Sequence, residues 1–266
     1  IKGIRSHNET PEKLDQFFKQ VLSECREEVN SPDLNSKTNA VLKLTYLEMY
    51  GFDMAWCNFH ILEVMSSNKL QQKRVGYLAA SQSFYKDSDI LMLATNLLKK
   101  DLKYDGNNDV VKVGIALSGL STIITPSLAR DIADDLFTML NSTRPYIRKK
   151  AITALFKVFL QYPEALRDNF DKFVSKLDDD DISVVSAAVS VICELSKKNP
   201  QPFIQLSPLL YEILVTIDNN WIIIRLLKLF TNLSQVEPKL RAKLLPKILE
   251  LMESTVATSV IYESVN

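Results

Sequence analysis

The sequence predicts an all-α fold built from repeated antiparallel helix pairs. Apolar residues recur at helical rather than strand spacing, one set of helix-opening residues returns every 37 positions, and a set of prolines returns in parallel with it.

The chain begins less regularly than it continues. A polar-faced helix runs from Pro11 to Val29, and Ser31-Pro32-Asp33 turns the chain. Ala40, Val41, Leu44 and Leu47 form an apolar stripe that stops at Gly51. A second helix is expected from Asp53 to Met65, with Trp56, Phe59 and Val64 as its core residues. Lys73-Arg74-Val75-Gly76-Tyr77 opens the next unit, about one period ahead of Val110.

From Val110 the beat is regular. Val110, Ile147, Val184 and Trp221 open predicted helices at intervals of 37 residues. Four positions on stand Gly114, Ala151, Ala188 and Arg225. Small residues there let a neighbouring helix approach closely, and the arginine marks a looser contact. Pro126, Pro163 and Pro200 are also 37 apart, while Pro238 follows after 38. Proline ends the helix before it and is tolerated in the first turn of the next, so the two sets mark the first and second helices of each unit.

Stripes inside the units agree with this division: Leu128, Ile132, Leu136 and Leu140 with Phe137; Ile152, Leu155, Phe156 and Phe159; Val184, Ala188, Val191, Ile192 and Leu195; and Leu244, Leu245, Ile248 and Leu249. The turns Asp105-Gly106-Asn107-Asn108-Asp109 and Asp178 to Asp181 separate helices. The four aspartates lack calcium-loop spacing and read as a solvated acidic turn with N-cap character.

A period of 37 lies between the 34 of tetratricopeptide units and the roughly 40–47 of HEAT and armadillo units. The tetratricopeptide Trp/Leu/Gly/Tyr pattern is absent, and proline heading a second helix suits a HEAT/armadillo-like α-solenoid. One helix pair cannot bury its apolar faces alone, so neighbours stack and the core runs along the repeats. With no Pro/Gly/Ser linker, residues 1–266 read as a single solenoid domain. Ile1-Lys2-Gly3-Ile4-Arg5 lacks an initiator methionine and a signal core, and Val265-Asn266 brings no stop signal; the expectation is a piece truncated at both ends.

Composition narrows the function. Lysine plus arginine and aspartate plus glutamate both number 32, so no net field draws the chain toward nucleic acid or an anionic membrane. No apolar run nears the roughly 20 residues of a membrane span: Trp221-Ile222-Ile223-Ile224 is stopped by Arg225. Cys25, Cys57 and Cys193 have no paired spacing and read as small buried hydrophobes. His7 and His60 belong to no metal-ligand motif, and no nucleophile motif or phosphate-binding glycine loop occurs. Neither catalysis nor a cofactor is expected. Two basic clusters stand out, Arg144, Arg148, Lys149 and Lys150, and Lys69, Lys73 and Arg74. They are either solvated helix ends or a cationic surface for phosphoinositide headgroups or an acidic partner. Cations at a helix start oppose the helix dipole, which points to an external anion.

The repeat heads carry a resemblance. Lys43 to Trp56, Lys73 to Phe84, Arg144 to Ala151, Tyr162-Pro163-Glu164, and Asn220-Trp221 with Lys228-Leu229-Phe230 are similar to the large-subunit trunks of the heterotetrameric clathrin-type adaptor complexes, the adaptins. Ala80-Ser81-Gln82-Ser83-Phe84 resembles the delta branch of that family, which serves adaptor complex 3. The resemblance covers essentially the whole chain.

What it implies is a non-catalytic trunk that cradles a small sigma-type subunit. Its further partners would be a second large beta-type subunit, a medium mu-type subunit and an Arf-family GTPase. The complex would work from the cytoplasm at Golgi, endosomal or transport-vesicle membranes and sort cargo with acidic dileucine tails toward lysosome or vacuole. Ile4-Arg5 matches an Ile-Arg near the start of related trunks, so the resemblance assigns Arg5 to the acidic residue of the sorting signal, with Lys2 as an electrostatic neighbour. The longer lysine-rich start used for phosphoinositide in the plasma-membrane complex is missing here. The competing reading is a scaffold solenoid of another transport or coat complex, without a sigma-type subunit.

Overall fold

The computed structural model describes residues 2–7, 9–84, 88–103 and 109–266, and every regular element among them is helical. Four of the five residues expected in the first acidic turn, Asp105 to Asn108, lie outside the described residues. The chain groups into two compact units, Ile1–Ile132 and Ala133–Asn266, which are taken in turn.

In the first unit, α1 (Lys2–Ser6) and α2 (Pro11–Val29) precede α3 (Leu34–Met49), α4 (Asn58–Met65), α5 (Leu70–Ser83), α6 (Ser88–Leu102) and α7 (Val110–Ile123); α8 (Pro126–Met139) carries the division. The first helices α3, α5 and α7 stack in series, while α4 packs on α5 and α6 on α7. The predicted α3 stripe is the core here: Ala40, Val41, Leu44 and Leu47 are all buried. Gly51 closes the helix with φ of 109°, a left-handed turn that strains any side-chain-bearing residue.

The second unit repeats the scheme with α9 (Pro145–Gln161), α10 (Glu164–Asp168), α11 (Phe170–Val174), α12 (Ile182–Ser196), α13 (Ser207–Thr216), α14 (Asn220–Val236), α15 (Lys239–Ser254) and α16 (Thr258–Val265). The first-helix series is α9, α12, α14 and α16. Asp33, Asp109, Asp181 and Asn219 each cap a first helix by accepting amide hydrogens from its opening turn, so Asp181 has the N-cap role expected of the acidic run.

Consecutive first helices are also joined by polar side chains. Gln72 donates to Asn35 at 2.8 Å, Thr122 to Ser81 at 2.9 Å, and Asn232 to Ser196 at 3.0 Å. These bonds satisfy polar groups at the helix seams and hold adjacent repeats in register.

The structure corrects the sequence reading in four places. Trp221 is 78% exposed, whereas Ile147 and Val184 are fully buried. The buried place in α14 falls to Ile222, and Leu226 rather than Arg225 takes the seam position of Ala188. The interval from Val184 to Ile222 is 38, the same as from Pro200 to Pro238, so one residue has been added and Trp221 is turned about 100° outward.

Trp56 and Phe59 are likewise exposed. The chain runs through a 3-10 turn at Ala55–Cys57 before α4 begins, which puts Cys57, Ile61, Val64 and Met65 inward. Trp56 instead lies against the Arg26 guanidinium, 5.4 Å from its ring centroid. In α15 only Leu244 of the expected stripe is buried, with Leu251 beyond it; Leu245 and Leu249 fall about 100° and 140° round the helix from Leu244 and are exposed.

The second helices are also less regular than the prolines imply. Pro126 and Pro238 introduce continuous helices, but after Pro163 the chain breaks into α10, α11 and a 3-10 turn at Ser175–Asp178. After Pro200 a 3-10 stretch, Gln201–Leu206, precedes α13. Phe159 and Phe173 meet edge to face at 5.3 Å beneath these breaks.

Candidate functional site

The basic residues singled out by sequence have divided fates. Lys73, the fourth residue of α5, is 4% exposed. Its Nζ donates to the Met65 carbonyl at 3.0 Å and pairs with the Asp101 carboxylate, which also accepts from the Tyr77 hydroxyl at 2.8 Å. Burial, then the Asp101 charge and hydrogen bond, push the Tyr77 hydroxyl far above its usual range, so it stays a donor.

The glycine between them belongs to the same lock. A Cβ on Gly76 would lie 2.4 Å from the Met65 backbone, and one on Gly119 would lie 2.3 Å from the Tyr77 ring. Lys73-Arg74-Val75-Gly76-Tyr77 therefore clamps α5 between α4 and α7. This removes Lys73 from any surface patch; Arg74 alone of the pair is exposed.

Arg148 is sequestered in the same way. Its Nε and Nη2 donate to the two carboxylate oxygens of Asp179 at 2.9 and 2.7 Å, and its Nη1 to the Ser142 carbonyl at 2.9 Å. Burial raises the Asp179 carboxyl, but the Arg148 bonds, the Asp181 amide and the Arg148 charge outweigh it and hold the group below its usual range. The anion inferred from cations at a helix start is thus internal: it is the acidic turn ahead of α12. Arg144 and Lys149 remain exposed, and Lys150 lies 6.0 Å from the Tyr146 ring centroid.

At the other end of the chain, α1 is fastened to α2 through Phe17. His7 stacks on that ring at 4.6 Å, and Gly3 lies so close that a Cβ would fall 2.4 Å from it. Within α1, Ser6 donates to the Gly3 carbonyl at 2.9 Å. Lys2 and Arg5 are carried on this short helix, both exposed and without a hydrogen bond or ion pair among the described residues. The fastening by Gly3, His7 and Phe17 was not foreseen; a glycine and a histidine flanking an exposed arginine were its only trace in the sequence.

The three cysteines are buried and free, as read from sequence. Burial pushes the Cys25 thiol up to about 11 and Cys57 up to about 12. Among the described residues there is no group of three or more potential metal ligands, and no helix long and apolar enough to cross a membrane.

A protein of this kind is a helical-repeat scaffold whose chemistry lies in its surfaces. The chain belongs to the adaptin family: the model of the adaptin N-terminal region matches residues 14–266. Within that family its likeness is to the delta subunits of AP-3 complexes, as Ala80–Phe84 indicated. It is 75% identical over its full length to "AP-3 complex subunit delta" of Eremothecium gossypii, covering 30% of that protein. Against Schizosaccharomyces pombe the contrast is direct. Identity is 48% over all 266 residues with the AP-3 delta subunit, covering 32% of it. It is 30% over 202 residues with AP-1 subunit gamma-1, covering 75% of this chain and 23% of that one.

The chain therefore spans about a third of the length of the delta relatives it matches. Among solved structures, Kap121p bound to Pho4p aligns with TM-score 0.64 at 14% identity, over 99% of this chain and 32% of that one. A designed armadillo repeat protein aligns with TM-score 0.51 at 15% identity, over 79% and 98%. Both likenesses concern the fold, an armadillo-like α-solenoid.

Proposed function

We propose that this chain is a non-catalytic trunk segment of a heterotetrameric vesicle adaptor complex, forming one solenoid domain over residues 1–266. It scaffolds a small sigma-type subunit alongside beta-type and mu-type subunits. The observation that carries the reading is the likeness of all 266 residues to part of the AP-3 delta subunits, joined to a helical scaffold whose family motif is spent on holding α4, α5 and α7 together. In the cell the complex sits peripherally on the cytosolic face of Golgi, endosomal or vesicle membranes, recruited by an Arf-family GTPase. It sorts acidic dileucine cargo toward lysosome or vacuole.

Within that role Arg5 receives the acidic residue of the sorting signal and Lys2 adds positive potential. The support is geometric: both cations are exposed, and unpaired among the described residues, on a helix that Gly3 and His7 seat against Phe17. An exposed arginine–carboxylate pair contributes only about 0.2–1 kcal/mol, so Arg5 tunes an affinity that an apolar pocket on the small subunit supplies. Of the two basic clusters, Arg74 in the first and Arg144 and Lys149 in the second remain exposed for an acidic partner or phosphoinositide, with Lys150 of the second half-buried.

Titration of an acidic dileucine peptide onto the assembled delta–sigma hemicomplex tests the assignment. Arg5→Ala should weaken binding about 1.4- to five-fold, by that same pairing energy; unchanged affinity would remove Arg5 from the site. Failure of the full-length chain to copurify with any sigma-type subunit would favour a scaffold of another transport or coat complex.

A further inference from the structure

We infer that the notch formed where the second helices of the Ala133–Asn266 unit break is a docking groove for an extended peptide carrying bulky apolar side chains beside carboxylates. The groove has a volume of about 450 Å³. Phe159 and Phe203, both buried, make its floor, and Leu166 and Phe170 stand half-buried in its walls. Its origin lies in the breaks themselves: α10 ends at Asn169, which leaves helical geometry with φ of −125° and ψ of 26°, and after Ser196 the chain passes through the 3-10 stretch Gln201–Leu206 before α13 begins.

The charge of the groove selects the occupant. The only charged side chains lining it are Arg167 and Lys198, both basic and both exposed. Neither has a side-chain hydrogen bond or ion pair among the described residues, although Arg148, Lys176, Lys197, Arg225, Lys228 and Lys247 in the same unit all have acidic partners. An apolar trough with two free cations on its rim fits apolar side chains that enter it while neighbouring carboxylates meet the cations. A bilayer fits less well, because the apolar floor of Phe159 and Phe203 is recessed and buried, out of reach of a flat lipid surface. This assignment concerns a different surface from Arg5 and stands without the trunk reading.

Selection of a random dodecapeptide phage library on the full-length protein tests it, with counter-selection on the double variant Arg167→Glu/Lys198→Glu. Both positions are exposed, so the variant should keep the wild-type unfolding midpoint. The expected result is enrichment of peptides with at least two bulky apolar residues flanked by Asp or Glu. A labelled member of that set should bind the double variant about ten-fold or more weakly in fluorescence anisotropy, and bind wild type less well as salt rises. Replacing its acids with amides, or its apolar residues with serine, should weaken binding without touching the protein. A benzophenone-labelled version should cross-link within residues 159–205.

Absence of any enriched peptide, enrichment without acids, equal binding to the double variant, or cross-links confined elsewhere would each overturn the inference. Flotation with phosphatidylserine vesicles that the double variant loses would also overturn it, by assigning the cations to a lipid surface.

Discussion

Replacing Lys73 with methionine separates a structural lysine from a surface one. Methionine keeps the apolar stem and removes the charge. In the folded chain Lys73 is 4% exposed and the Asp101 side chain 12% exposed, so the substitution strands a largely buried carboxylate with only the Tyr77 hydroxyl at 2.8 Å as donor. The Met65 carbonyl loses its Lys73 donor as well. Breaking one side of a buried pair costs about 3–5 kcal/mol, and the retained Tyr77 bond places the expected loss at about 3 kcal/mol. For a chain of this size that is roughly 6–12 °C in melting temperature.

Urea unfolding read through Trp56 in a Trp221→Phe background follows the unit that holds the pair, and Trp221 is exposed enough to be replaced safely. The double variant Lys73→Met/Asp101→Leu removes both charges and should be less destabilised than Lys73→Met alone, because no stranded ion remains. A loss below about 1 kcal/mol for Lys73→Met would refute the buried lock, since an exposed pair is worth no more than that. Wild-type stability together with lost vesicle binding would return Lys73 to the surface patch.

The Arg148–Asp179 pair should make stability pH-dependent. A carboxylate held below its usual range stabilises the fold above about pH 3.9 and loses that contribution as pH falls through its folded value. Arg148→Met should therefore cost about 3 kcal/mol near pH 7, and its unfolding curve should converge on wild type below about pH 4. Gly76→Ala should destabilise by about 1–2 kcal/mol in chemical denaturation: overpacking against the Met65 backbone costs about 1–3 kcal/mol, and alanine's better helix propensity returns up to about 1. A gain in stability would refute the close approach of α4 and α5. At pH 8 an aromatic disulfide reagent should leave Cys25, Cys57 and Cys193 unmodified in the folded chain and titrate all three in guanidinium, because each thiol is buried and its ionisation suppressed.

The candidate surfaces were only partly visible in the sequence. Arg5 and Lys2 are near the chain start and their exposure follows from a short helix, but their seating depends on Phe17, a residue of another helix. The basic clusters were visible as charge, but two of their members, Lys73 and Arg148, were read as surface and are sequestered. Nothing local distinguishes Lys73 from Arg74, or Arg148 from Lys149; the difference is whether Asp101 or Asp179 arrives from a following element. The groove between Phe159 and Phe203 had no signal in the sequence: Pro163 and Pro200 were read as heading second helices and do open helical segments, but those segments break a few residues later, at Asn169 and after the 3-10 stretch Gln201–Leu206.

By itself the sequence determined the all-α class, the alternation of first and second helices, the α3 core stripe and an N-cap somewhere in the acidic run 178–181, because periodicity, proline and Asx capping act within a few residues of where they are written. Only the tertiary structure decided which apolar residue at each repeat head faces inward. Val184 and Trp221 sit at the same 37-residue interval as their predecessors, yet one added residue, legible in the 38 from Pro200 to Pro238, turns Trp221 into solvent and brings Ile222 to the seam. A helix turns about 100° per residue, so facing is set by the packed neighbour and not by the count.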